Sequence, residues 1–324
     1  MSKEGRVMDM HNKVNPGLAG CYEKTAIDEA IKNNRLLNCD IELTLGCNLR
    51  CKFCYEGAGK QASGNELTVT EIKRIIDEAN NLGAKNITLL GGEPLLYPHF
   101  FEIAEYVTKA SMDVLIFTNA TLITTEIAKR LSDLNVGVCV ALEALNPEIH
   151  DEMVGVNGAH QKTLEGINNL IVVGYTKDIP LSINATITNI NYSDLENLCL
   201  WALEKKIEPF LFRLIPNPRA YISKDLQVSA SQLKELSEKI SPIKKYSREL
   251  PFFDNSGCVK HYISCYVTCE GFVQPCSNVN IYCGNVRSKS LTSIVNSPII
   301  KMMRGIGSNI QGYCKECKYH DVCY

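Results

Sequence analysis

The strongest constraint on this chain's fold is an alternation of short apolar runs with helical repeats between residues 38 and 215. Ile72, Ile75, Ile76 and Ala79 recur at helical spacing within 70–81, with Thr70 as the expected N-cap. Residues 40–44, 86–90, 113–118, 136–142, 180–186 and 209–215 read as six strands. Helices are expected over 99–110, 125–134, 161–173 and 193–205. Strands separated by helices pair in parallel, because a parallel neighbour needs a long crossover. Six units are too few to close an eight-stranded barrel, so the expected fold is α/β, a partial (β/α)6 barrel. Chemistry in such architectures gathers at the C-terminal ends of the strands.

The flanks look different. Residues 1–37 read as an N-terminal arm with one helix near 25–34. The barrel is expected over 38–220, and residues 221–250 form a linker with a polar helix near 229–240. A small Cys-rich module fills 251–324. The formal net charge of −2 lacks the basic footprint of a nucleic-acid binder. No apolar run approaches the ~20 residues that span a bilayer. The polar N-terminus lacks the apolar core of a signal peptide, so a cytoplasmic protein with no membrane partner is expected.

Cysteine usage is the anomaly. The chain has 15 cysteines, with three inside 47–54 and eight after residue 257. In a reducing compartment, clustered thiols bind metal more often than they form disulfides. Cys139 and Cys199 lie in apolar stretches, and Cys21 and Cys39 have no partner at ligand spacing. These four read as small hydrophobes.

Cys47-Asn48-Leu49-Arg50-Cys51-Lys52-Phe53-Cys54-Tyr55 places three thiols at C-x3-C-x2-C spacing. Three thiolates can hold three irons of a [4Fe–4S] cluster and leave the fourth open to a small molecule. A structural zinc site, the alternative, wants four ligands, usually as two pairs. The spacing, with Phe53 and Tyr55 flanking Cys54, resembles the signature of the radical S-adenosylmethionine (SAM) superfamily. The resemblance implies that SAM chelates the open iron. The reduced cluster then cleaves the sulfonium to a 5′-deoxyadenosyl radical, which abstracts hydrogen from substrate. It also implies an electron donor such as flavodoxin or ferredoxin.

Gly91-Gly92-Glu93-Pro94 follows the 86–90 strand. Alone it reads as a strand-ending turn that lets a backbone approach closely. It resembles the family's GGEP motif, which implies binding of the cofactor's amino group. Asn119, in Thr118-Asn119-Ala120, and Asn184 on the fifth strand resemble positions near the cofactor. Arg213, on the last strand, could meet a carboxylate of cofactor or substrate. Relatives often carry Ser-Leu-Asp-Gly on the fourth strand, where this chain has Ala141-Leu142-Glu143-Ala144. Glu143 is therefore expected to face substrate. His150 reads as structural.

The late cysteines run Cys258-x17-Cys276 and Cys314-x2-Cys317-x5-Cys323. Residues 271–276 read as a tight hairpin ending in a ligand. This pattern resembles the SPASM or twitch auxiliary-cluster extension. One auxiliary [4Fe–4S] cluster would use Cys258, Cys276 and two of Cys314, Cys317 and Cys323. Two clusters would recruit Cys265, Cys269 and Cys283. A zinc knuckle of Cys314, Cys317, His320 and Cys323 is the third possibility. An auxiliary cluster can take a second electron from a substrate radical, which favours net oxidation or crosslinking. The expected substrate is a ribosomally made peptide; a small molecule, an aminosugar or haem precursor, is the alternative. A non-catalytic electron carrier is the competing class, but it does not need Gly91–Pro94.

Overall fold

The computed structural model describes residues 22, 24–54, 57, 59, 64–176, 179–214, 224–240, 260–277, 279–304 and 315–316. A first helix, α1 (Lys24–Lys32), precedes six βα-type strands. These are β1 (Asn38–Glu42), β2 (Asn86–Leu90), β3 (Asp113–Thr118), β4 (Gly137–Ala141), β5 (Leu181–Ile187) and β6 (Glu208–Arg213). The intervening helices are α2 (Val69–Asn81), α3 (Phe100–Lys109), α4 (Thr125–Asp133), α5 (Pro147–Val154), α6 (Ala159–Val172) and α7 (Leu195–Glu204). The polar helix α8 (Ala230–Ile240) follows. Among the described residues, no helix is long and apolar enough to cross a membrane.

The six strands pair in parallel and in chain order, and the sheet stays open. On the far side of β1 lies β7 (Ser264–Val267), also parallel, with Asn38 opposite Ser264 and Ile41 opposite Val267. Two short antiparallel strands, β8 (Phe272–Gln274) and β9 (Gly284–Asn285), bring the sheet to nine strands among the described residues. The late segment thus continues the barrel sheet, a relation that its hairpin-like sequence does not reveal.

Alternate strand residues serve two faces. Cys39, Ile41, Ile87 and Leu89 join the main core with Ile72 and Ile76 of α2 and Ile103 and Val107 of α3. Asn38, Asp40, Asn86 and Thr88 occupy the other face, linked to one another by hydrogen bonds. Asp40 is fully buried there and ion-paired with Lys260 at 2.8 Å. Cys39, Cys139 and Cys199 are fully buried, and Cys39 sits beside Cys265 across the β1–β7 pair with 3.6 Å between sulfurs.

The N-cap of α2 is Thr68, not Thr70. Its hydroxyl accepts the Glu71 N–H and the Glu71 carboxylate accepts the Thr68 N–H, a capping box that starts the helix one turn ahead of its apolar stripe. Arg287, just after β9, donates to the same carboxylate at 2.7 Å and to the Asn65 and Glu66 carbonyls. The late segment is thereby clamped to the barrel.

The Arg287 guanidinium holds the Glu71 carboxyl down at about 2. A depressed carboxyl contributes stability above its unfolded value, ~4.3, and loses it as pH falls toward 2. Glu71→Gln should cost about 1 kcal/mol at pH 7. The difference from wild type should vanish between about pH 4 and pH 2, read by denaturant unfolding across that range.

Candidate functional site

The loops after β1 and β2 meet backbone to backbone. Gly92 N–H donates to the Thr44 carbonyl at 2.7 Å, and Glu93 N–H to the Gly46 carbonyl at 2.8 Å. A Cβ at Gly92 would lie 2.3 Å from the Gly46 oxygen, so only glycine fits. This contact sets the cysteine loop beside Gly91–Pro94.

Cys47, Cys51 and Cys54 are each half-buried on that loop, and none is in a disulfide. Burial, then the charges of Glu93 and Cys54, raises the Cys47 thiol. Burial, then Glu143 and the other two thiols, pushes Cys51 up further. Cys47 therefore lies within the electrostatic reach of Glu93, and Cys51 within that of Glu143. Among the described residues, no three His, Cys, Asp or Glu side chains converge tightly enough for a single metal ion. A cubane instead presents separate iron corners, each taking one thiolate. Three soft donors on one loop suit such a cluster.

Glu93 is fully buried, and burial pushes its carboxyl up to about 7. Its Oε1 accepts the Thr118 hydroxyl at 2.8 Å and the Leu95 N–H at 3.1 Å. Its Oε2 accepts the Asn119 N–H at 2.8 Å. Glu93 thus ties the end of β2 to the end of β3, a task its motif alone did not disclose. Asn119 in turn donates from Nδ2 to Asn48 inside the cysteine loop, and Asn48 donates to Thr121. Pro94 opens a short 3-10 turn that Glu93 caps.

Glu143 lies just beyond β4, and burial pushes its carboxyl up to about 8. Its Oε2 accepts the Thr186 N–H at 2.7 Å. Its own N–H donates to His150 Nδ1 at 3.2 Å, and its carbonyl accepts Asn191 Nδ2 at 2.7 Å. His150 is fully buried on α5, and its ring is pushed down to about 4 by burial. It stays neutral and orients the Glu143 backbone.

Asn184, on β5, is half-buried and accepts from the Cys139 thiol at 3.4 Å. Arg213 is the exposed last residue of β6, paired in register with Ile187. Cys276 is buried just after β8, and Cys283 is half-buried beside β9. Cys265 and Cys269 are buried, and the Cys269 N–H donates to Glu42 at 2.9 Å. Tyr55, Cys258, Cys314, Cys317 and Cys323 fall outside the described residues.

Asn191 was missed by sequence reasoning. It is fully buried and bridges Glu143 and Thr186 carbonyls while its Oδ1 accepts both the N–H and hydroxyl of Thr188 at 2.9 Å. Its signal was weak, one more Asn in the polar run Thr188–Asp194.

A family model for the radical SAM superfamily matches residues 41–202, and one for the SPASM iron–sulfur cluster-binding domain matches 258–318. The chain therefore belongs to the radical SAM superfamily. It is 30% identical to the AdoMet-dependent heme synthase of Methanosarcina barkeri, over 87% of this chain and 88% of that one. It is 29% identical to the mycofactocin maturase MftC of Mycobacterium tuberculosis, over 87% of this chain and 75% of that one. Among solved structures, SuiB of Streptococcus suis bound to S-adenosylmethionine superposes with a TM-score of 0.72 at 20% identity, covering 91% of this chain and 74% of that one. anSMEcpe with bound AdoMet superposes with a TM-score of 0.70 at 17% identity, covering 88% of each chain. Membership implies a [4Fe–4S] cluster and SAM, and the SPASM domain implies auxiliary iron–sulfur clusters.

Asn191→Ala strands two buried carbonyls and two buried donors around Glu143. It should cost about 2–3 kcal/mol of stability, read as a lower denaturant midpoint for the metal-free chain.

Proposed function

We propose that this radical SAM enzyme carries out oxidative modification or crosslinking of a peptide. In this reading Cys47, Cys51 and Cys54 hold the cluster. When bound, that group supplies one electron to the sulfonium of SAM and yields the hydrogen-abstracting 5′-deoxyadenosyl radical. Gly91, Gly92 and Pro94 shape the floor under the cofactor's methionine end. Glu93 accepts the ammonium, with Asn119 beside it and Tyr55 next to Cys54. Asn184 contacts the cofactor from β5. Glu143, just beyond β4, and Arg213, at the end of β6, are the residues assigned to substrate. Cys258, Cys276, Cys314, Cys317 and Cys323 supply ligands for one auxiliary cluster. A flavodoxin- or ferredoxin-class donor supplies the electron.

The observation that carries the peptide reading is the chemistry of the sheet face opposite the main core. Its described residues include Asn38, Asp40, Thr88, Ser182, Asn184 and Thr186, with Glu143 at the rim. Lys260, the cation beside them, is engaged by Asp40. Amides, hydroxyls and carboxylates suit a substrate with N–H, hydroxyl or ammonium groups. A macrocycle with several carboxylates would find no cation among those side chains to pair with. A haem precursor remains the second reading, favoured by the high mutual coverage with the Methanosarcina barkeri heme synthase.

Two experiments test the proposal. The wild-type enzyme, reduced anaerobically with SAM, should form 5′-deoxyadenosine, and a peptide encoded beside its gene should lose two hydrogens by mass spectrometry. The Cys47→Ala/Cys51→Ala/Cys54→Ala variant should do neither while keeping auxiliary iron. Loss of carbon dioxide from a porphyrin, with the peptide untouched, would overturn the peptide reading. Replacing Glu93 with Gln should weaken SAM binding by about 1–3 kcal/mol, measured by equilibrium binding to the reconstituted enzyme. Unchanged affinity would remove Glu93 from the cofactor site.

A further inference from the structure

The cysteine loop rests on the C-terminal turn of α5. Arg50 N–H donates to the Val154 carbonyl at 2.8 Å, and Lys52 N–H donates to the Met153 carbonyl at 2.9 Å. These two amides flank Cys51. Leu49 packs against Val154 and Ala159, with Cys47 and Cys51 against the same cluster. The helix ends at Gly155, in the left-handed conformation at φ 69°, whose N–H returns to the Asp151 carbonyl. A Cβ at Gly155 would lie 2.8 Å from the Arg50 carbonyl oxygen. The Asp151 carboxylate fixes the following turn by accepting the Gly158 and His160 N–H groups.

This arrangement bears on electron transfer. N–H groups that reach the sulfurs of an iron–sulfur cluster stabilise its reduced, more negative state and raise its potential. In this loop the Leu49 N–H does reach a sulfur, that of Cys47, at 3.4 Å. The Arg50 and Lys52 amides are instead taken by α5. The carbonyls that take them form the negative end of the helix dipole. Two donors are removed from the sulfurs and a negative potential is placed beside them.

We propose that the last turn of α5, closed by Gly155, is a redox-tuning mould: it withholds the Arg50 and Lys52 amides from the cluster sulfurs and keeps the cluster strongly reducing. Gly155 is a positioning residue in this scheme, acting through the loop backbone. The inference rests on the assignment of Cys47, Cys51 and Cys54 as cluster ligands. It goes beyond that assignment by naming what sets the potential.

The test is a redox titration of the reconstituted holoenzyme, without substrate, followed by electron paramagnetic resonance. Gly155→Ala pushes the Arg50 backbone off the helix, so the loop cluster should titrate at a more positive potential. The control is Gly158→Ala. Gly158 has a similar left-handed φ of 77°, yet nothing lies within 4 Å of a Cβ added there. Its midpoint should equal the wild-type value. Leu49→Ala provides a second variant, loosening the loop from Val154 and Ala159 without a backbone clash, and its midpoint should move in the same direction. If Gly155→Ala holds no loop cluster, the Leu49→Ala midpoint decides. An unmoved midpoint in Leu49→Ala, or an equal shift in Gly155→Ala and Gly158→Ala, overturns the proposal. The triple cysteine variant separates this from failure of the ligand assignment. If the titrating signal persists without Cys47, Cys51 and Cys54, the ligands are elsewhere; if it disappears, only the tuning claim is at stake.

Discussion

The contact on which the carboxyl edge of the sheet depends is the close approach of Gly91–Glu93 to Thr44–Gly46. Two strand-end loops touch backbone to backbone, and a Cβ at Gly92 would fall inside the Gly46 carbonyl. From this contact the rest follows in order. The loop after β1 is held down, so Cys47 comes within the electrostatic reach of Glu93. Glu93, deprived of water, gathers donors from Leu95, Thr118 and Asn119. The end of β3 is drawn in, and Asn119 reaches back to Asn48. Each step satisfies a polar group that the previous step buried.

A second set of constraints operates from the opposite side of the loop. The turn of α5 supplies acceptors for Arg50 and Lys52, and His150 on the same helix accepts from Glu143. Asn191 then fixes the Glu143 carbonyl. The β4–α5 connection therefore shapes both the bed of the cysteine loop and the aim of a buried acid. The Glu143 backbone is tied on both sides while its carboxylate meets β5.

The six-strand, helix-alternating order was legible because apolar periodicity is written locally. Ile72, Ile75, Ile76 and Ala79 mark the buried stripe of α2 without knowledge of anything else. The N-cap was misplaced by two residues because the apolar stripe alone was weighed, although Thr68-Val69-Thr70-Glu71 carries the local capping-box pattern. The cysteine loop and Gly91–Pro94 were legible as motifs, since their chemistry is carried by residue type and spacing. The Glu93 donor set, the Asn191 bridge and the α5 clamp were not. Backbone carbonyls and amides leave no trace in residue identity. β7 escaped as well, because Ser264–Val267 is only four residues long and its partner, β1, lies more than two hundred residues earlier.

That pairing changes how the late segment should be regarded. A module joined by a flexible tether would sample a range of separations from the barrel, and electron tunnelling, which decays steeply with distance, would be averaged over all of them. Here β7 is laddered to β1 and carries β8, the strand that ends just before Cys276, and the Arg287 guanidinium is pinned to the start of α2. The separation between the Cys47–Cys54 loop and Cys276 is thus set by sheet register, in steps of whole residues. Inserting or deleting one residue in β7 would invert which side chains join the main core and which lie on the opposite face of the sheet. Such a segment cannot be exchanged freely between relatives as a cassette; its strand has to arrive in phase.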